Sequence, residues 1–249
     1  MVKDNMIKVA LFGFGRIGQM HAENLNKHKE IKLLYVYEKS KQLSFKAKKL
    51  YNCKLEKNYK KVFKDKKVDI IFISSPTNTH IKFIEEGVKN KKTIFCEKPL
   101  DLNIKKIIKT FKKIKKIKTK IQIGFNRRYD PGHYNIKKDL ERNKIGKLEK
   151  IIITSRDPAP PTASYLKSSG GILRDMMIHD FDLCRFYLGK DEITEIHAFT
   201  SSFEKLYAKI KDHELAVVTM KSKKGVICVI TNARHCSFGY DQRIELFGK

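Results

Sequence analysis

Asp175 and His179 stand four residues apart, with Asp182 three further on, in a stretch of helical character from Ile172 to Leu188. On one helix that spacing puts the three side chains on or near a common face. A carboxylate one turn from an imidazole can orient the ring and stabilise its protonated form. An imidazole titrating near neutrality can take a proton from an alcohol. Ser168-Ser169-Gly170-Gly171 come just before and would let the backbone approach a ligand closely. His–Asp pairs at this spacing are common, however, and from spacing alone a helix with a solvated acidic face is the simpler account. No set of Cys and His at ligand spacing surrounds the pair, which argues against zinc.

A second chemistry lies near the N-terminus. Gly13-Phe14-Gly15-Arg16-Ile17-Gly18 follows an apolar run and opens a helical segment, the setting in which GxGxxG cradles a dinucleotide. Gly13 permits the tight turn, Gly15 leaves room for a pyrophosphate, and Gly18 lets helix and strand close up. Helix N–H groups and the positive end of the helix dipole then face the phosphates, beside Arg16 and Ile17. Glu38 ends the next apolar run. A carboxylate there binds ribose hydroxyls and repels a 2′-phosphate, which predicts NAD over NADP, with Lys39 and Lys41 pulling the other way. Further along, Ser75, Pro76, Asn78 and His80 close a third apolar run, at the end where parallel sheets place ligands. They read equally as cofactor contacts or as a helix start capped by Thr77 or Asn78, with His80 a helix or cofactor-edge residue. Cys96-Glu97-Lys98-Pro99 ends a fourth run and would put the Lys98 ammonium at the same sheet edge, beside a proline that stiffens the backbone. In a chain this rich in Lys, one more surface Lys explains it as well.

The elements that must position these groups alternate through the first half. Apolar runs Ile7–Phe12, Ile31–Tyr37, Val68–Ser74, Thr93–Cys96 and Lys120–Gly124 are separated by helical segments Ile17–His28, Ser40–Tyr51 (Ser40 as N-cap), His80–Asn90 and Asn103–Ile117. Such alternation predicts a doubly wound parallel sheet with right-handed crossovers, a Rossmann arrangement. The second half differs. A helix at Tyr134–Arg142, a run at Lys150–Ser155, a Pro-rich loop Asp157–Pro161 and the long helix Ile172–Leu188 precede four strand-like runs. These are Ile193–Phe199, Glu214–Lys221, Val226–Asn232 and Arg243–Phe247, joined without helices, with a hairpin turn at Lys223-Lys224-Gly225. They predict an α+β domain with an open, mostly antiparallel sheet. The expected division is 1-124 for nucleotide binding and 125-249 for substrate binding and oligomerisation.

Composition bounds the function. The 249 residues carry a formal charge of +27, yet only nine of the 54 basic residues are Arg, the side chain favoured for bidentate phosphate and base recognition. The Lys residues are spread through helices, so the charge reads as coding bias and not as a nucleic-acid surface. No apolar run approaches the roughly 18 residues of a membrane span, and the first run reads as a strand, not a secretion signal. Five scattered cysteines without a CxxC pair suggest reduced thiols in a cytoplasm.

Taken together, Gly13–Gly18, Glu97-Lys98-Pro99, Gly124–Asp130, Ser155-Arg156-Asp157-Pro158-Ala159-Pro160-Pro161 and Gly170-Gly171 with Asp175, His179, Asp180 and Asp182 resemble the Gfo/Idh/MocA oxidoreductases, and within them the inositol 2-dehydrogenase group. The resemblance runs from about Ile7 to the end. It implies an NAD-dependent oxidation of a cyclic polyol or sugar alcohol, most simply myo-inositol at C2, by a homo-oligomer that is commonly a tetramer assembled through the open sheet. Carried over, Lys98, Asp175 and His179 match the catalytic trio, Glu97 and Lys98 lie in the cofactor motif, and Arg127, Asp157 and Tyr240 match substrate-side positions. Another sugar or polyol, NADP use, or a shortened non-catalytic nucleotide-binding protein are the competing readings. Members usually run longer, so an absent C-terminal part is expected, with an unpaired strand edge and exposed apolar surface in its place.

Overall fold

A strand of continuous Val, Ile, Leu and Phe needs cover on both faces, and the first five apolar runs obtain it from the helices between them. The computed structural model describes residues 6–249. It divides into two compact units, the first ending at Gly124 and the second running Phe125–Lys249.

In the first unit the elements are β1 (Ile7–Phe12), α1 (Arg16–Lys27), β2 (Ile31–Tyr37), α2 (Lys41–Tyr51), β3 (Lys54–Leu55), α3 (Tyr59–Lys64), β4 (Ile70–Ile73), α4 (His80–Lys89), β5 (Thr93–Cys96), α5 (Ile104–Ile114) and β6 (Ile121–Ile123). All strands pair in parallel, in the order β3-β2-β1-β4-β5-β6. Successive crossovers leave in opposite directions from β1 and β4, so the carboxyl ends of these two strands flank the crevice where such sheets bind ligands. Phe12, Ile71, Phe83 and Ile84 fill one face of the sheet, and Val9, Leu11, Phe14 and Phe72 the other. Ser40 caps α2 by accepting from the Leu43 N–H at 3.3 Å, and Asn103 caps α5 through the Lys105 and Lys106 N–H groups.

The sequence reading missed β3 and α3. Their segment is short and Lys-rich, with Val62 and Phe63 its only fully buried apolar side chains. Neither Thr77 nor Asn78 caps α4. Residues Thr77–Thr79 form a 3₁₀ turn instead, and the Thr79 hydroxyl donates back to the Pro76 carbonyl at 2.7 Å.

The second unit contains α6 (Pro131–Glu141), β7 (Leu148–Arg156), α7 (Ala163–Ser169), α8 (Ile172–Asp175), α9 (Ile178–Leu188), β8 (Ile193–Ser201), α10 (Lys205–Ile210), β9 (Leu215–Ser222), β10 (Ile227–Ala233) and β11 (Asp241–Gly248). Its sheet runs β11-β7-β10-β9-β8, with β7 and β10 parallel and the other pairs antiparallel. Ile151, Ile153, Val218, Met220 and Ile230 pack on Ile172, Met177, Leu183 and Tyr187 of the helical layer. The β9–β10 hairpin turns at Gly225, whose φ of +90° favours glycine.

Two expectations are corrected here. The strands of this half are not joined without helices, since α10 lies between β8 and β9 and buries Tyr207. The expected single helix Ile172–Leu188 is two. Met176 and Met177, both buried, lie at the join. The chain widens there, with the Met177 N–H donating to the Ile172 carbonyl five residues back at 2.9 Å, a π-type turn of the sort that interrupts helices at functional positions.

Candidate active site

The three glycines of the first loop have three different jobs. Gly13 adopts φ +94°, and a Cβ on it would lie 2.6 Å from the Ser75 Cα and N atoms. A Cβ on Gly18 would lie 2.2 Å from the Gly13 carbonyl oxygen. Both are therefore packing requirements within the protein. Around Gly15 a Cβ would meet nothing within 4 Å, and no side chain caps α1 there. That leaves an open cradle of backbone N–H groups at a helix start, suited to an anion. Arg16 is exposed beside it and Ile17 half-buried. Glu38 completes the loop. One carboxylate oxygen accepts from the Phe14 N–H at 2.7 Å and the other from the Ser40 N–H at 2.9 Å. The open glycine face, the uncapped helix start and this fixed carboxylate fit the pyrophosphate and ribose of NAD.

Ser75, Pro76 and Asn78 line the carboxyl end of β4. The Ser75 and Thr79 hydroxyls share a hydrogen bond at 2.6 Å, and Pro76 and Asn78 are exposed. His80, expected at the cofactor edge, is turned inward. Its ring is 1% exposed, with Nδ1 2.8 Å from the Pro99 carbonyl and Nε2 2.7 Å from the Ser75 carbonyl. Both ring nitrogens are thus committed to the backbone of two loops, and burial pushes the imidazole pKa below its ordinary value. Glu97 is likewise engaged with the protein. Its carboxylate meets His21 Nε2 at 2.7 Å and accepts from the Lys98 N–H at 3.2 Å. A Cβ on Gly124 would come within 3.0 Å of it. The His21 ring in turn packs on Phe72 and Phe95, with centroids 4.6 and 5.7 Å away. These two expected cofactor residues buttress the loop that carries Lys98. His21 went unnoticed because its partner Glu97 lies 76 positions away and no spacing signals a cross-sheet contact.

In the second unit the acidic residues around α8 and α9 are not a solvated face. Asp175, Asp180 and Asp182 are all buried, and each is paired with an arginine. Asp182 receives a bidentate fork from Arg128 at 2.6 Å to each oxygen, the stronger geometry for such pairs. It therefore serves the packing of α9. Asp180, 0% exposed, accepts from Arg127, from the Ser155 hydroxyl at 2.9 Å and from the Asn232 amide at 2.9 Å. One guanidinium nitrogen of Arg127 is consequently spent on Asp180 and Ser155. Asp175 accepts from the Tyr165 hydroxyl at 2.6 Å and from Arg234 at 3.4 Å. His179, in the first turn of α9, meets the Phe125 ring edge-on at 6.5 Å. The π-type turn leaves Asp175 and His179 on successive helices, still one turn apart along the chain.

Asp157 follows β7 and anchors to β10 through its N–H to the Ala233 carbonyl at 3.0 Å. Burial raises its carboxyl pKa, with Asp175 and Asp180 adding to the rise and Arg234 and Arg127 opposing it. Asp175, Asp180, Arg127 and Arg234 thus all lie within electrostatic reach of Asp157. Tyr240, the remaining expected substrate contact, is 72% exposed just ahead of β11. Arg234, Asp212, Tyr165 and Asn232 were not found from the sequence, since nothing local distinguishes them. Among the described residues no group of three or more His, Cys, Asp or Glu side chains could hold a metal ion. No helix of the described residues is long and apolar enough to cross a membrane.

Both units match known proteins. A family model described as an oxidoreductase family with an NAD-binding Rossmann fold (GFO_IDH_MocA) matches residues 7–125. The model of the GFO/IDH/MocA C-terminal domain matches residues 133–249. Myo-inositol 2-dehydrogenase of Thermotoga maritima is 39% identical over 97% of this chain and 73% of its own length. A crystal structure of a myo-inositol dehydrogenase from Corynebacterium glutamicum superposes with a TM-score of 0.93 at 37% identity, over 98% of this chain and 73% of that one. Scyllo-inositol dehydrogenase from Lactobacillus casei, solved with NAD(H) and scyllo-inositol bound, gives 0.89 at 29% identity, over 98% and 74%.

Proposed function

The chain belongs to the GFO/IDH/MocA oxidoreductase family, and from that premise we propose that it oxidises a cyclic polyol, most simply myo-inositol at C2 to the inosose, as an NAD-dependent dehydrogenase. The observation that carries the reading is a buried, clamped carboxylate, Asp175, one turn ahead of His179, in the same chain as a glycine loop whose Gly15 faces open space. The inositol dehydrogenases it is similar to supply the substrate class.

Gly13–Gly18 and Glu38 would hold the dinucleotide, with the Glu38 carboxylate setting the preference for NAD over NADP by repulsion of a 2′-phosphate. NAD supplies the hydride acceptor, and the proton chemistry falls to the protein. His179 takes the proton of the reacting hydroxyl while Asp175 orients the ring and stabilises the imidazolium. Lys98 donates a hydrogen bond to the reacting oxygen and stabilises its developing negative charge. Glu97, held by His21, fixes the backbone on which Lys98 stands. Asp157, Arg127 and Tyr240 are assigned to the polyol hydroxyls, Arg127 through the guanidinium edge turned away from Asp180.

We assign the protein to a homo-oligomer that uses the outer face of the second sheet. The register lines Phe199, Val217 and Thr231 in one row and Ile227, Lys150 and Phe247 in another. Phe199 is 77% exposed, and Val217, Ile227 and Phe247 are all open to solvent. An apolar face of that kind is a surface for another protein chain. Five buried cysteines without a disulfide fit the reducing cytoplasm.

The test is NADH formation with a panel of inositols and sugars. Reduction of NAD with myo-inositol preferred is expected. Reduction with a different polyol would reassign the substrate, and NAD binding without reduction by any polyol would refute the catalytic reading.

A further inference from the structure

Arg234 is the largest fully buried side chain of the second unit, at 0% exposure. An unpaired guanidinium in such a place would be prohibitive, so its surroundings must be read as built around it. It stands directly after β10 and is fixed at its backbone by donation of its N–H to the Glu214 carbonyl at 2.9 Å. Its two terminal nitrogens divide between two carboxylates from different segments. One reaches Asp175 at 3.4 Å and the other Asp212 at 3.3 Å.

Asp212 is not a passive partner. Its other oxygen accepts the Ile172 N–H at 2.9 Å and the His213 N–H at 2.8 Å. Ile172 is the first residue of α8, the short helix that ends at Asp175. Gly171, just before it, has φ +85°, and a Cβ there would press on the same Asp212 oxygen at 3.0 Å. One carboxylate therefore fixes where α8 begins, and one guanidinium ties that carboxylate to the residue where α8 ends. The Tyr165 hydroxyl, from α7, holds the remaining Asp175 oxygen at 2.6 Å.

We propose that Arg234 is a positioning residue for the oxidation: through Asp212 and Asp175 it sets the carboxylate that orients His179, and it is the buried cation that the acids of that site face. The inference rests on the dehydrogenase reading above and extends it to a residue that touches neither substrate nor cofactor. The charged and titratable groups facing Arg234 are Asp175 on α8, Asp212 on the turn before β9, Asp157 after β7 and Tyr207 on α10. Tyr165 lies behind Asp175, Arg127 and Asp180 lie behind Asp157, and Glu214 opens the approach to β9, its carboxylate engaged by the Phe203 and Glu204 N–H groups. Three carboxylates thus share one buried cation. Burial already raises the Asp157 pKa, and Arg234 is the first influence holding that rise down. Removing the cation leaves the acids to hold protons more tightly, whichever of them binds first.

The test compares Arg234→Met, Arg234→Lys and Asp212→Asn with wild type, using kcat, KM and the pH profile of polyol-dependent NADH formation. NADH binding by fluorescence serves as the control for the first unit. Arg234→Met should lower kcat on the order of 100-fold, the scale of misplaced acid–base catalysis, with a much smaller change in KM. Its acidic limb should move to higher pH by on the order of one unit. Asp212→Asn keeps the oxygen that caps α8 but removes one negative charge, so its acidic limb should move the opposite way. Arg234→Lys restores the charge without the fork and should recover part of kcat with the limb near its wild-type position.

A merely structural Arg234 would lower melting temperature and activity together and leave the limbs in place, or shift Arg234→Met and Asp212→Asn in the same direction; either result overturns the proposal. If Arg234→Met does not fold, the opposite shift in Asp212→Asn and the retained limb in Arg234→Lys decide it alone. A wild-type enzyme that binds NADH but turns over no polyol would instead refute the dehydrogenase reading, and the proposal with it.

Discussion

Replacing Gly15 and Gly18 separately by alanine should produce opposite phenotypes. At Gly18 a methyl carbon would sit 2.2 Å from the Gly13 carbonyl oxygen and 3.0 Å from the Ser74 hydroxyl. Ordinary contact begins near 3.4 Å, so α1 and β1 must separate by about 1 Å. The Ser74 hydroxyl that donates to Gly13 at 3.0 Å moves with them. Overpacking on this scale costs roughly 1–3 kcal/mol, and the backbone partner cannot yield as a flexible side chain could. At Gly15 the same methyl meets no atom within 4 Å, and the residue has φ −67° and ψ −168°, open to any amino acid. Alanine there loses some N-cap preference but restricts the unfolded chain, two effects that nearly cancel to within about 0.5 kcal/mol. Its cost falls on the ligand, because the methyl projects into the cradle meant for phosphate. A loss of at least about tenfold in affinity, or ~1.4 kcal/mol, follows. Urea unfolding followed by circular dichroism reads the first effect, and an NADH fluorescence titration reads the second. Gly15→Ala binding NADH as wild type does, or Gly18→Ala unfolding at the wild-type midpoint, would refute this division of labour between the glycines.

Three further outcomes follow from the same geometry. Asp180→Ala strands the Arg127 guanidinium, the Ser155 hydroxyl and the Asn232 amide in the interior, and should cost roughly 3–5 kcal/mol in urea unfolding, against a smaller loss for Asp180→Asn. Asp157 has a folded-state pKa above its ordinary 3.8, so the folded protein binds that proton more tightly than the unfolded chain. Its contribution to stability is therefore lost as pH rises from about 3.8 through the raised value. Asp157→Asn should remove that slope and leave the protein more stable than wild type at neutral pH, as read from unfolding midpoints across pH. His21→Phe keeps the packing on Phe72 and Phe95 but loses the 2.7 Å contact with Glu97. It should lower kcat roughly tenfold, about one lost hydrogen bond to a charged group, with the melting temperature little changed.

The first unit was legible to the residue in places. Ile7–Phe12 and Ile31–Tyr37 coincide with β1 and β2, and Ser40 caps α2 as read. Continuous β-branched runs and capping chemistry act locally, so the sequence displays them directly. The glycine loop was legible for the same reason, each glycine answering to a contact within one strand–turn–helix unit. What the sequence does not display needs the interior: the partners that hold His80 and Glu97, namely Pro99, Ser75 and His21, come from other elements. The pairing of Asp180 with Arg127 and of Asp175 with Arg234 joins residues 53 and 59 positions apart, a separation that no periodicity encodes. The break at Met176–Met177 was hidden because a π-type turn preserves a helical pattern on both sides of itself.

The central claim is that Lys98 and His179 together handle the proton and the negative charge of polyol oxidation. The most direct test measures NADH formation from myo-inositol, alongside NADH binding, for the wild type, Lys98→Met, His179→Ala and the double variant. Each single variant should lose at least about 100-fold in kcat. His179→Ala should bind NADH as the wild type does, and the double variant should lose less than the product of the single losses, because the two groups serve one step. Turnover undiminished in either single variant would contradict the account.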